Sequence, residues 1–268
     1  MTRTYSIDLY DRDLLVDLAE ILQRCQDPTT EVNALPEIMG HFAFLERIAL
    51  QDNCVYSLFD FNAYRYLFHT KTLFSLIGLN PGITSPRWDS SYVAMLTDRK
   101  PIHQFLFLRK QFVSRFKLSD YRAVQFVACG CYSTNLEGKQ LRGFYRSRPL
   151  TYDAAGDVAV AFDCVSDVKP LMVTERGYWI RLSADEHICY WHSNTGKLIM
   201  KDIISPREIE LIMLWRSGLS IPEIADRVCI STFTVKNQLA NARQRMLARD
   251  NSSLVLLCTL IGILPPTF

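Results

Sequence analysis

Near one end of the chain, residues 205–246 read SPREIELIMLWRSGLSIPEIADRVCISTFTVKNQLANARQRM, and serine opens three short segments within them. Ser205 is followed by Pro206 and then Glu208, a capping box with proline at the first helical position. Ser220 repeats the pattern with Glu223, and Ser231 opens a third segment without an acidic partner. The apolar spacing agrees with three helices. Ile209, Ile212 and Met213 are expected on one face of the first, and Ile221, Ile224, Ala225 and Val228 on one face of the second. Val235, Leu239, Ala242 and Met246 form the stripe of the third, and Gly218 stands where the first must end.

Short helix, tight turn, longer helix is the pattern of a helix-turn-helix. At ~100° per residue from Val235, the outward face of the third helix holds Phe233, Asn237, Ala240 and Gln244. Lys236 and Arg243 flank it on one side, and Thr234, Asn241 and Arg245 on the other. From Ser231 to Arg249 there are four basic residues and no acid. Amides can pair with adenine edges while cations neutralise phosphates, so this face fits the major groove of double-stranded DNA. The competing reading is a solvated basic helix with no partner.

These residues resemble the LuxR-type DNA-binding domain of bacterial transcription regulators. The motif stands as Ser205-Pro206-Arg207-Glu208, Gly218, Glu223-Ile224-Ala225, Ile230-Ser231, Thr234-Val235-Lys236 and Asn241. Two positions depart from the family: Gln238 replaces its usual histidine, and Arg245-Met246 its usual Lys-Leu. The resemblance implies that the third helix enters the major groove. The candidate DNA-binding residues are Ser231, Thr234, Lys236, Asn237, Asn241, Arg243 and Gln244, with Lys236 and Asn237 foremost. It further implies a fourth helix, over the apolar run Leu254–Leu264, that pairs subunits into a homodimer. The alternative is a helix packed on its own domain.

Charge supports a localised nucleic-acid contact. Residues 203–268 hold seven Lys/Arg against five acids, a difference of two that equals the +2 of all 268 residues; the rest balances at 23 of each sign. Eight cysteines follow no framework, and the start MTRTYSIDLYDRD lacks a secretory apolar region. Reduced thiols in the cytoplasm are therefore expected. The run Leu254–Leu264 is short of the ~20 residues a membrane helix needs.

The earlier part changes period. Residues 8–25 read as an amphipathic helix through Leu14, Leu15, Leu18, Ile21 and Leu22, and a second helix is expected over Leu35–Leu50. CVYSLFDF and YRYLFHT are strand-like, TKTLFSLIGLNP is a short helix, and residues 91–117 are helical around a break at Pro101. Three strands follow: AVQFVACGCYS, QLRGFYRSRPLTY and DVAVAFDCVSD. Tyr178–Leu182 and His187–His192 add a last pair. Residues 52–170 resemble the PAS-type sensor fold, in particular PAS-like domains that precede a LuxR-type helix-turn-helix.

The expected class is α+β. It comprises an N-terminal helical segment (1–51), a PAS-like antiparallel sheet domain for sensing or dimerisation (52–195), a linker (196–204) and an all-α four-helix head (205–268). The resemblance implies a place for a small ligand or cofactor between sheet and helices; no cofactor is expected, and any small-molecule ligand is of unidentified kind. Aromatics at strand spacing are otherwise plain core. His69 and His103 read as ordinary histidines rather than haem ligands, and His187, Cys189 and His192 lack the paired spacing of a metal site. No Ser/His/Asp arrangement, Gly-rich phosphate loop or paired-carboxylate motif stands out, so no enzyme is expected. RNA polymerase is a candidate partner of such a regulator. One alternative is an acyl-homoserine-lactone receptor. Trp88 and Tyr92 resemble its pocket aromatics, but Asp98-Arg99-Lys100-Pro101 lacks its aspartate with a following proline. Another is a protein-interaction module that does not bind DNA.

Overall fold

Eight strands form one antiparallel sheet in the order β2-β1-β5-β4-β3-β6-β7-β8. The computed structural model describes residues 45–62, 65–78, 99–116, 124–154, 157–174, 177–184 and 186–265. The strands are β1 (Cys54–Asp60), β2 (Arg65–His69), β3 (Val124–Thr134), β4 (Gln140–Tyr152), β5 (Val158–Asp167), β6 (Trp179–Ala184), β7 (His187–His192) and β8 (Lys197–Ile199). Helix α1 covers 45–52. The others are α2 (Thr72–Ile77), α3 (Arg99–Phe116), α4 (Pro206–Arg216), α5 (Ile221–Arg227), α6 (Thr232–Met246) and α7 (Asn251–Leu260), with a 3-10 turn at Lys169–Leu171. This is the expected α+β class, a sheet followed by a helical head.

Strand side chains alternate between faces, and here both faces are covered. Val124, Phe126 and Ala128 of β3 pack with Phe105, Leu108 and Phe112 of α3. Their neighbours Val127 and Cys129 belong instead to a core shared with α4–α7. On β6 the same division puts Ile180, Leu182 and Ala184 towards α3, and Trp179 towards the head. A bulge at Gly130 kinks β3. Gly130 has φ +89, and a Cβ there would lie 2.9 Å from the backbone O of Gly177, so a side chain is excluded.

A hairpin turn at residues 135–139 joins β3 and β4, closed by Asn135 N–H donating to Lys139 O at 2.9 Å. Three details differ from expectation. Pro101 does not break α3 but is its third residue, where a missing N–H has no helical acceptor to leave unserved. Met213 is exposed, and Leu211 with Ile212 fills the core of α4. Residues 196–204 hold β8 and the buried Ile203 and Ile204. The helix over 8–25, most of that over 35–50, and Trp88, Tyr92 and Asp98 lie outside the described residues.

Candidate nucleic-acid interface

The three serines open the helices as the spacing required. The Glu208 carboxylate accepts from Ser205 N–H at 2.9 Å and Oγ at 2.8 Å, and Ser205 Oγ accepts from Glu208 N–H at 3.3 Å. Glu223 accepts from Ser220 N–H at 2.7 Å and Oγ at 2.6 Å. Ser231 Oγ accepts from Thr234 N–H at 3.1 Å and lies 2.9 Å from Thr234 Oγ1. Both hydroxyls nominated for DNA contact at this end are thus engaged in closing the first turn of α6. Between α5 and α6 the chain reverses through Cys229, at φ 54.

α6 buries Val235, Leu239, Ala242 and Met246, the stripe read from the sequence. Lys236, Asn237, Asn241 and Gln244 are exposed; Thr234 and Arg243 are half-buried. Phe233, not among the candidate residues, is 70 % exposed beside them. An apolar side chain projecting from a helix start could meet a thymine methyl, and its place on the outward arc was the available signal.

Arg245 does not join this face. Its Nε donates to Ile203 O at 2.9 Å and its Nη2 to the Glu208 carboxylate, so it ties the end of α6 to the start of α4. Burial pushes the Glu208 carboxyl up, but hydrogen bonds from Arg245 and Ser205 outweigh it and hold the group below its ordinary range. A depressed carboxyl stabilises the fold above its unfolded value and loses that contribution as pH falls through its folded value. Glu208→Gln is therefore expected to cost about 2 kcal/mol at neutral pH. Urea titrations should find the difference from wild type shrinking below about pH 4; a pH-independent difference would count against this network.

The far end of α6 is fixed to the sheet. Trp179 Nε1 donates to Met246 O at 3.0 Å. Val173 N–H donates to Leu247 O at 3.0 Å, and Arg249 N–H to Leu171 O at 2.9 Å. Leu247 takes a left-handed conformation, φ 55, with its side chain buried. Arg181 forks onto Asp202 at 2.8 Å through both Nε and Nη2. Inward residues of α7, Leu254, Leu257 and Cys258, pack within this same core. The exposed start of α6 and its anchored end leave one polar, acid-free face turned to solvent.

The histidines are dispersed. The His187 ring stacks on Phe116 with centroids 4.0 Å apart, while His192 pairs with Trp179 and packs towards the head. His69 sits edge-on to Tyr66 and Phe74, and His103 is exposed on α3. Among the described residues no three His, Cys, Asp or Glu side chains group as a metal site. No described helix is long and apolar enough to cross a membrane.

No curated protein sequence matches the chain. Solved structures similar to it include VqmA from Vibrio cholerae in a complex with ligand and DNA, at 16% identity over 81% of this chain and 87% of that one, with a TM-score of 0.29. Another is VqmA bound to DPO, at 16% identity over 83% and 90%, with a TM-score of 0.28. A third is a phage VqmA–DPO complex, at 12% identity over 80% and 84%, with a TM-score of 0.27. TM-scores this low do not establish a shared fold. Residues 202–258, which hold α4, α5, α6 and most of α7, match the family of bacterial regulatory proteins of the luxR type.

Proposed function

We propose that the chain is a DNA-binding transcription regulator of the bacterial cytoplasm, working as a homodimer. Its α6 enters the major groove and its sheet domain, read as PAS-like, senses a small molecule. The observation carrying this reading is the exposed face of α6, where Lys236, Asn237, Asn241 and Gln244 stand together without an acid, on a segment that matches the luxR family model. Lys236 neutralises a phosphate and the amides read base edges. Ser231 and Thr234 set the first turn, and Arg243 approaches the backbone from the flank. The sensing half is supported by the order of the sheet: β1 lies between β2 and β5, so the first hairpin and the later three strands form one surface with α2 and α3 against it. Contact with RNA polymerase belongs to the same reading.

Lys236→Ala is the direct test. Fluorescence anisotropy of the full-length chain with duplex DNA, across salt concentrations, should give weaker binding to all sequences and a log–log salt slope reduced by about 1. Unchanged affinity and slope would remove α6 from the interface. Retention of residues 203–268 on heparin separates this reading from a protein-interaction module, which would not be retained.

A further inference from the structure

The outward arc of α6 carries no arginine. Arg245 is tied to Ile203 O and the Glu208 carboxylate. At ~100° per residue, Arg243 lies about 100° away from the direction opposite Val235, and it is half-buried with its Nε shut from solvent. Arg249, past the end of α6, donates from Nε to Asp250 Oδ2 at 3.2 Å. On α4, Arg207 donates to Glu210 Oε2 at 2.6 Å and to Val228 O at 2.9 Å. The exposed groups left in the arc are the Phe233 ring and the amides of Asn237 and Gln244, and Lys236 stands at its edge, about 80° from the outward direction.

Phe233 and Asn237 sit about 20° to either side of the outward direction, four residues and so ~6 Å apart along the helix axis. Both follow closely on the capped start at Ser231, the end of a recognition helix that meets base edges. Phe233 is 70 % exposed, and the core of α6 is made without it by Val235, Leu239, Ala242 and Met246. In the major groove the apolar feature is the thymine 5-methyl; base edges are otherwise hydrogen-bond donors and acceptors. A phenyl ring laid on those would strip water from polar groups and return no hydrogen bond. An amide on adenine makes two, to N6 and N7. Guanine is read foremost by the fork of an arginine, which this arc does not offer.

We infer that α6 is built to read A·T base pairs: the Phe233 ring packs on a thymine 5-methyl, and Asn237 pairs with the edge of an adenine within about two base-pair steps of it. This rests on the DNA-binding half of the function proposed above and names the bases that half reads. Phe233 carries specificity without charge. It touches no phosphate, so it adds nothing to the salt dependence of binding, whereas Lys236 on the flank does the reverse.

The test uses the full-length chain and a duplex that it selects from a fully randomised library. In that duplex deoxyuridine replaces each thymine in turn, which removes one methyl and leaves the base pair's hydrogen bonds. Fluorescence anisotropy is expected to find a thymine in each half-site whose replacement weakens wild-type binding about fourfold or more. In Phe233→Ala the same replacement should change affinity by less than about twofold, with the wild-type salt slope. Because Phe233 lies outside the core of α6, this variant should also keep the wild-type urea midpoint. Asn237→Ala should keep the response to the methyl and lose the preference for the neighbouring adenine. A consensus of G·C pairs or no consensus, equal affinity for every uracil duplex, or an undiminished methyl response in Phe233→Ala would each overturn the inference while leaving DNA binding in place. Failure of the wild type to bind any duplex would overturn the DNA-binding reading itself, and this inference with it.

Discussion

Trp179→Ala is expected to destabilise the chain by about 3–5 kcal/mol, the range for truncating a fully buried tryptophan. Trp179 is 0 % exposed, and its indole N–H holds the carbonyl of Met246, the last residue of α6. Its removal opens a cavity in the core shared by sheet and head and leaves that carbonyl buried without its donor. Trp179→Phe keeps most of the apolar area and should lose about 1–3 kcal/mol. Because one core spans both regions, the wild-type urea transition should be single. In Trp179→Ala it should separate into a head transition and a sheet transition, followed by circular dichroism. An alanine variant within about 1 kcal/mol of wild type, still unfolding in one step, would contradict this packing.

Arg142→Met should have an effect of similar size for a different reason. Arg142 is 3 % exposed and donates from Nε to Gly130 O at 3.0 Å, from Nη1 to Val173 O at 3.0 Å and Tyr132 Oη at 2.8 Å, and from Nη2 to Gly177 O at 2.6 Å. The guanidinium thus gathers the bulge of β3 and the chain on the way to β6, which in turn bonds Leu247 at the end of α6. Hydrogen bonds from a charged donor contribute about 1.5–3 kcal/mol each and are not additive, so a loss of about 3–5 kcal/mol is expected. Lysine has no fork and should recover less than half of it. Hydrogen exchange reads the consequence directly: the amides of Val173 and Arg249, protected in wild type, should exchange faster in Arg142→Met than the amides within α6. Unchanged protection at those two positions would show that Arg142 does not hold the connection.

Much of the head could be read before its structure. Capping boxes at Ser205 and Ser220 and the stripe through Val235, Leu239, Ala242 and Met246 are short-range signals, set by helix geometry over a few residues. The exposed candidates Lys236, Asn237, Asn241 and Gln244 followed from that stripe. The misplacements came where one helix meets two partners. Leu211 rather than Met213 is buried because α4 packs towards both its own head and the sheet core. Arg245 was assigned to a solvent flank because a helical wheel cannot know that Glu208 and Ile203 lie there. The three-residue edge strand β8 has too few residues to establish a period.

By itself, the sequence determined strands β1–β7, the helix-turn-helix and the polar face of α6, because caps, turns and apolar periods are local. Only the tertiary structure decided that the head is docked on the sheet through Trp179, Leu247 and Arg181, and that Arg142, Arg109 and Asp163 are buried. A charged residue in a sequence reads as solvated. Whether it is instead enclosed depends on side chains tens of residues away and on which of two sheet faces receives them, and no local pattern carries that information.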